Sequence, residues 1–149
     1  MLSCLRPPTV QVFPRLSLLL WDLSYQRLVN IELSYANLHG SRLDFANLDG
    51  AILYGARLSS ANLNGAKLNN SSFMCANLDN SILTGANLTG ANLSGANLRG
   101  ANLHFASLRD ADVSDADLSD ANLFGATYGD VKLNMPDGLK FLKSKGAIV

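Results

Sequence analysis

The chain has 149 residues, of which 12 are basic and 12 acidic, so its formal net charge is zero. Without net positive charge or a basic stripe, direct binding of nucleic acid is not expected. The 48% of apolar residues fits one domain around one core, and the apolar run from Leu16 to Trp21 is too short to span a bilayer.

Residues 1–17 form a segment without the repeat that follows. Pro7, Pro8 and Pro14 argue against a helix here. The basic and apolar residues faintly suggest an export signal, but Pro14 and Arg15 interrupt it and no A-x-A cleavage site follows. We therefore expect this segment to cover the first part of the repeat, in a cytoplasmic protein.

A five-residue repeat dominates the rest of the chain. Every fifth residue from Leu18 to Leu133 is apolar, and from Ala36 to Ala126 the residue two places earlier is always Ala or Ser. Neither a helix nor a long strand has this period. Within one unit, A-x-L reads as a short strand and a pair such as Thr89-Gly90 as a turn. The chain should therefore bend every five residues and stack in closed coils about 4.8 Å apart, with Phe73 in the core.

The units Ala86-Asn87-Leu88, Ala111-Asp112-Val113 and Ala116-Asp117-Leu118 give this repeat the form A-[D/N]-L-x-x, which resembles the pentapeptide-repeat proteins, especially cyanobacterial members. The resemblance is firm over residues 31–130. It implies an all-β fold, a right-handed quadrilateral parallel β-helix with four units per coil and about six coils. The solenoid would then occupy residues 18–133, followed by a C-terminal cap over residues 134–149.

Asn precedes the central Leu in many units. We interpret these side chains as structural, hydrogen-bonded as ladders between adjacent coils. The predicted positions are Asn37, Asn47, Asn62, Asn77, Asn87, Asn92, Asn97, Asn102 and Asn122.

No catalytic constellation is evident. The two histidines, His39 and His104, are predicted to lie on different sides about three coils apart, too far to share a metal or a proton. Cys4 and Cys75 lack the spacing of a metal site, and we expect them to stay reduced rather than form a buried disulfide. We predict no enzyme activity, cofactor or metal site.

Residues twenty apart are expected to be stacked neighbours, which assigns each outward position to one side of the solenoid. One side then gathers apolar residues that we predict to be a partner-binding patch: Tyr35, Ile52, Tyr54, Met74 and Cys75. A contiguous apolar group on a surface is typical of an interaction site. The opposite side stacks Tyr25 with Phe45 and places Phe105 beside Phe124, in weaker clusters.

Charge is uneven along the chain. An acidic rim comprises Asp110, Asp112, Asp115, Asp117 and Asp120, and a basic tail follows. Some relatives, the quinolone-resistance pentapeptide proteins, imitate duplex DNA and occupy type II topoisomerases. Such a DNA-mimicking gyrase inhibitor or protector is the alternative function. It is the weaker hypothesis because a duplex carries one charge per about 1.7 Å, more than this chain supplies.

The tail leaves the repeat through a Pro-Gly turn. A helical turn from Leu139 to Lys145 would place Leu139, Phe141 and Leu142 over the last coil, with the lysines outward. The resemblance also allows a homodimer through this end.

These observations predict a non-enzymatic structural or protein-interaction module that presents a rigid solenoid surface to a protein partner.

Overall fold

A computed structural model describes residues 17–134 and 138–148. Over this range the chain returns to the same position every twenty residues, the length of four pentapeptides, as parallel bridges such as Asn37 to Arg57 and Arg57 to Asn77 show. The prediction that residues twenty apart are stacked neighbours is therefore confirmed. The expected cap formed by residues 1–17 lies, except for Ser17, outside the described residues.

Each pentapeptide pairs with its neighbours mainly through the backbone N–H groups of its second, third and fifth residues. The N–H of Leu93 donates to the carbonyl of Asp112 in the next coil, at 2.7 Å, and the N–H of Asn92 donates to Ser71 in the preceding coil, at 2.9 Å. Pairing takes the form of isolated bridges, one per unit, and the described residues contain no longer strand. The short strand expected for A-x-L corresponds to one bridge residue, flanked by the carbonyl of the first residue and the N–H of the third, which also bond to the next coil.

The core is a column of the central apolar residues and the small residues two places before them. From Leu38 to Leu108 every central side chain is at most 1% exposed, and the large ring of Phe73 is fully buried among them. Leu23 and Leu28 in the first coil are only half-buried. The core is thus continuous along the axis and thinner at its N-terminal end.

Every unit ends in a tight turn. In one example the N–H of Ala96 donates to the carbonyl of Leu93, at 3.0 Å, with Gly95 at φ 64°. Positive φ at the third of four residues is the geometry of a type II turn, which normally requires Gly. Thirteen of the described residues other than Gly nevertheless have positive φ, among them Tyr25, Phe45 and Phe105.

The Asn residues before the central Leu mainly serve these turns. The side-chain oxygen of Asn92 accepts the backbone N–H of Ser94 at 3.0 Å and its hydroxyl at 2.7 Å. The side chains of Asp112 and Asp117 likewise accept the backbone N–H groups of Ser114 and Ser119. The predicted ladder does occur, from Asn97 to Asn77 and from Asn122 to Asn102, both at 3.2 Å. The shared requirement is a short acceptor that caps the turn, which explains why Asp replaces Asn freely.

We predict that Asn92→Ala lowers the free energy of unfolding by about 1 kcal/mol, because two hydrogen bonds from Ser94 are lost. Asn92→Asp keeps the acceptor and should change it by less than about 0.5 kcal/mol. Urea unfolding followed by circular dichroism measures both variants. Equal destabilisation by Ala and Asp would contradict the turn role.

The only helix among the described residues, α1 (Gly138–Ser144), closes the C-terminal end of the solenoid. Leu142 is buried and Phe141 packs, half-buried, against the core. The prediction that Leu139 also covers the last coil is wrong, because its side chain is 54% exposed. Since the helix begins at Gly138, its inward stripe runs from Gly138 to Leu142, four residues on, and Leu139 lies about 100° away.

The chain after α1 adds a further rung to the solenoid. Gly146, at φ 81°, ends the helix, with its N–H bonded to Lys143 and that of Ala147 bonded to Leu142, the pattern of a Schellman motif. Ile148 then forms a parallel bridge with Thr127. Residues 146–148 thereby cover part of an edge that would otherwise be open to association.

We predict that Leu142→Asp destabilises the protein by about 3 kcal/mol or more, because it removes a fully buried side chain and places a charge against the core. Leu139→Asp is the matched control and should change stability by less than about 0.5 kcal/mol. Thermal unfolding compares the two, and sedimentation reports the oligomeric state. A stable Leu142→Asp monomer that replaces a wild-type dimer would instead assign this end to an interface.

Candidate interaction surfaces

Side chains at the last position of the turns point along the solenoid axis and cover the turn twenty residues later. Leu20 lies over Gly40 and Phe45 lies over Gly65, so that a Cβ added to Gly65 would be 2.5 Å from Cε1 of Phe45. Asn70 and Asn80 cover Gly90 and Gly100 in the same way. Many turn positions therefore require Gly, because a side chain of the preceding coil occupies the space that a Cβ would need. In the sequence this relation appears as a residue with a side chain followed by Gly twenty positions later.

The predicted patch is brought together by the fold, since its members lie in three successive coils on one side. Ile52 is 42% exposed, whereas Tyr35, Tyr54, Met74 and Cys75 are half-buried. The ring of Tyr35 lies over Gly55 and meets Tyr54 edge-on, with 5.3 Å between ring centroids. The patch is therefore a packed surface from which Ile52 protrudes furthest, and its role as a contact site remains a prediction.

Cys75 departs from expectation. It is disulfide-bonded in the structure, so the prediction that it stays reduced is wrong. Cys4 lies outside the described residues. The spacing of cysteines along a chain does not report which sulfurs approach each other in the fold.

The opposite side carries the most exposed rings. We call Tyr25, Phe45, His104, Phe105 and Phe124 the aromatic ridge. Tyr25 stacks on Phe45 with 5.2 Å between centroids, and His104 lies between Phe105 and Phe124, at 4.0 Å and 5.6 Å from their centroids. The two clusters belong to one column of turns, linked by hydrogen bonds such as that from Gly65 to Thr84.

The acidic rim follows the chain around the solenoid. Asp112 and Asp117 occupy bridge positions on two different sides, and Asp110, Asp115 and Asp120 occupy the turns between and beside them. Hydrogen bonds from the hydroxyl and backbone N–H of Ser119 hold the pKa of Asp117 below its ordinary value. The rim is therefore a charged belt across the axis, partly compensated where Arg99 approaches Asp120 at 3.7 Å.

The two histidines do not meet. His39 pairs with Ser59 at 2.7 Å, while His104 belongs to the aromatic ridge. Within residues 17–134 and 138–148, no group of three His, Cys, Asp or Glu side chains is arranged to hold a metal. Over the same ranges the structure contains no helix that could traverse a bilayer.

The comparison with protein families identifies the chain. Eight copies of the pentapeptide repeat match over residues 22–53, 31–70, 51–90 and 86–125. The chain belongs to the pentapeptide repeat family. No curated protein gives a match.

Solved structures of pentapeptide repeat proteins are similar to this chain, in agreement with the family match. Rfr23 from the cyanobacterium Cyanothece is 28% identical, with a TM-score of 0.67 over 85% of this chain and 90% of Rfr23. A pentapeptide repeat protein of the Arabidopsis thaliana thylakoid lumen is 32% identical, with a TM-score of 0.56 over 76% of this chain and 74% of its own. Full-length QnrB1, a plasmid-mediated fluoroquinolone resistance protein, is 20% identical with a TM-score of 0.50, over 83% of this chain and 65% of QnrB1. That likeness shows the fold alone.

The turn column of the ridge contains an open position at Gly85, which generates a prediction. A Cβ on Gly85 would contact nothing within 4 Å, although its φ is 63°. Gly85→Asn should therefore change the free energy of unfolding by less than about 1 kcal/mol, since Asn tolerates this backbone conformation. Gly65→Asn must displace the Phe45 ring and should cost about 2 kcal/mol more. Urea unfolding of both variants tests the difference, and equal costs would contradict the axial direction of the turn side chains.

Proposed function

We propose that this pentapeptide repeat protein is a non-enzymatic interaction module that presents a rigid surface to a protein partner. We further propose that its solenoid is the right-handed, four-sided coil of about six turns that the family resemblance implies. The twenty-residue register and the structural relatives support this architecture.

The observation that carries the functional proposal is the contrast between a uniform backbone and a varied surface. The same hydrogen bonds recur from coil to coil at 2.6 to 3.2 Å, while the bridge positions of one column hold Glu32, Ile52, Ser72 and Asn92 in turn. A backbone so fully paired loses little conformational entropy when a partner binds. Selectivity would then rest on the outward side chains.

The arrangement of charge favours this function over DNA mimicry. A duplex presents phosphates along its axis, whereas the rim from Asp110 to Asp120 crosses the axis within half of one twenty-residue coil. Asp112 is also followed by Lys132 in its own column.

The expectation of a cytoplasmic protein relied in part on cysteines that stay reduced. Because Cys75 is disulfide-bonded, that support is lost, and the proposal assigns no compartment.

The test uses two isoleucines with the same exposure on different sides of the solenoid. Ile52 and Ile82 are each 42% exposed and each occupies a bridge position that is Asn in other coils. Immobilised wild type, Ile52→Asn and Ile82→Asn capture partners from an extract of the source cells, and mass spectrometry identifies them. We expect a partner whose recovery falls about tenfold with Ile52→Asn and stays unchanged with Ile82→Asn, because a buried anchor contributes at least about 1.4 kcal/mol.

Binding through apolar contacts should also survive moderate salt, whereas binding through the acidic rim should not. Recovery that is lost with neutralised Asp115 and Asp117, and that includes a topoisomerase, would support the alternative function. The absence of any specifically retained protein would contradict the interaction role.

A further inference from the structure

We propose that the aromatic ridge and the column of bridge residues beside it form a docking site for an extended, acidic segment of a protein partner. This proposal rests on the proposed function as an interaction module and adds a second surface to it. We call the neighbouring column, Arg27, Asn47, Lys67, Asn87, Ser107 and Thr127, the basic column.

The ridge exposes more aromatic surface than any other side of the described chain. Tyr25, Phe45, Phe105 and Phe124 are 71%, 49%, 62% and 61% exposed. All four sit on or next to turns whose backbone is fixed by the ladder, as in the bond from the N–H of Phe105 to the carbonyl of Phe124 at 3.1 Å. Rigid, exposed rings of this kind are typical anchors of protein interfaces.

The two ring clusters are separated by a notch. Between Phe45 and Phe105 the same turn column carries Gly65 and Gly85; the Phe45 ring covers Gly65, and the space at Gly85 is open. The column thus offers an apolar anchor site at each end and a depression between them.

Charge on this surface has one sign. Arg27 and Lys67 are exposed and form no ion pair with any described residue. They lie two coils apart, about 10 Å by the ladder spacing. The one acidic side chain described on the ridge turns and basic column, Asp44, is 7% exposed and bonded to Arg42 and Asn62. Arg42 also forms an ion pair with Asp22 at 3.0 Å. These two residues belong to the bridge column on the other side of the ridge, so their charges cancel there.

The spacing selects an extended occupant. Phe45 and Phe105 lie three coils apart, about 14 Å, which an extended chain covers in about four residues. Apolar residues at positions i and i+4 would reach the two ring clusters, and the residue at i+2 would face the notch at Gly85. Carboxylates flanking these residues would pair with Lys67, which follows Gly65 by two residues, and with Arg27.

An acidic protein segment fits this site better than a nucleic acid. Two cations can neutralise only about two phosphates, too few for the backbone contacts that dominate nucleic-acid binding. A second copy of this chain would have to bring its acidic rim to the ridge, yet the rim runs around the axis and carries no exposed ring between its carboxylates.

The test measures binding of the peptide Glu-Phe-Glu-Leu-Glu-Phe-Glu-amide, labelled with fluorescein at its N-terminal amine, by fluorescence anisotropy. Its control replaces every Glu with Lys. The ridge is removed by Phe45→Asn with Phe105→Asn, which recreates the native pairs in which Asn70 and Asn80, at φ 55° and 54°, cover Gly90 and Gly100. Lys67→Asn removes charge from the basic column, and Arg57→Asn is its matched control in a different column of the same ladder.

We expect the acidic peptide to bind at least tenfold more weakly to the double Phe variant, about threefold more weakly to Lys67→Asn at low salt, and unchanged to Arg57→Asn. The Lys peptide should bind at least tenfold more weakly to wild type. Circular dichroism and the urea midpoint show whether the double variant remains folded.

Several results would overturn the inference: no binding of the acidic peptide up to about 1 mM, equal binding by the double Phe variant, or equal binding of the Lys peptide. A ten-residue dT oligonucleotide that displaces the peptide at lower concentration would reassign the site to single-stranded nucleic acid. Self-association in sedimentation that Phe45→Asn abolishes would reassign it to a second copy.

The experiment separates this inference from the proposed function. A captured partner that depends on Ile52 and is retained by the double Phe variant supports the interaction module and rejects the ridge as its docking site. The peptide titration judges the ridge even if the capture yields no partner.

Discussion

The structure depends on one constraint, the return of the backbone to register every twenty residues. The backbone N–H of each central residue must reach the carbonyl of the residue nineteen positions later, which lies in the next coil. In one example the N–H of Leu93 donates to the carbonyl of Asp112 at 2.7 Å. Each turn must therefore adopt the same backbone conformation, whichever residue occupies its last position. Within the part of the chain that the structure describes, thirteen residues other than Gly hold positive φ for this reason, at a cost of about 1 to 2 kcal/mol for each one that is not Asn or Asp. The hydrogen bonds and buried Leu column that follow from register offset this cost.

Much of the fold could be predicted because the constraint acts through residue size. Only a small residue fits two places before the centre, and Ala or Ser stands there from Ala36 to Ala126; the buried Phe73 shows that the centre accepts more volume. The role of Asn was predicted less well, since a ladder and a turn cap both require a short polar side chain. The exposure of Leu139 was not predicted because it depends on the residue at which α1 begins. The extra rung at Ile148 was not predicted because the chain leaves the solenoid to form α1 and then returns to it.

Exposure at the candidate sites was the least predictable feature. The sequence correctly grouped the predicted patch on one side and the rings on the opposite side, because grouping follows from the register alone. The exposure of the side chains in each group depends on how far they tilt along the solenoid axis. It also depends on the size of the residue that lies twenty positions later, in the next coil. Tyr35 is sheltered over Gly55 and against Tyr54, whereas Tyr25 has only another ring, Phe45, beneath it.

The register also decides which sequence patterns a partner can recognise. Residues adjacent in sequence spread around the solenoid, so the acidic run from Asp110 to Asp120 becomes a belt that a ligand lying along the axis meets once. Residues twenty apart form a line, so Tyr25 and Phe45, or Arg27 and Lys67 at forty, share one surface although nothing in a short window links them. Interaction sites in such a chain are therefore encoded at multiples of twenty. A substitution is best judged by its neighbours one coil away, as Phe45 is by Gly65.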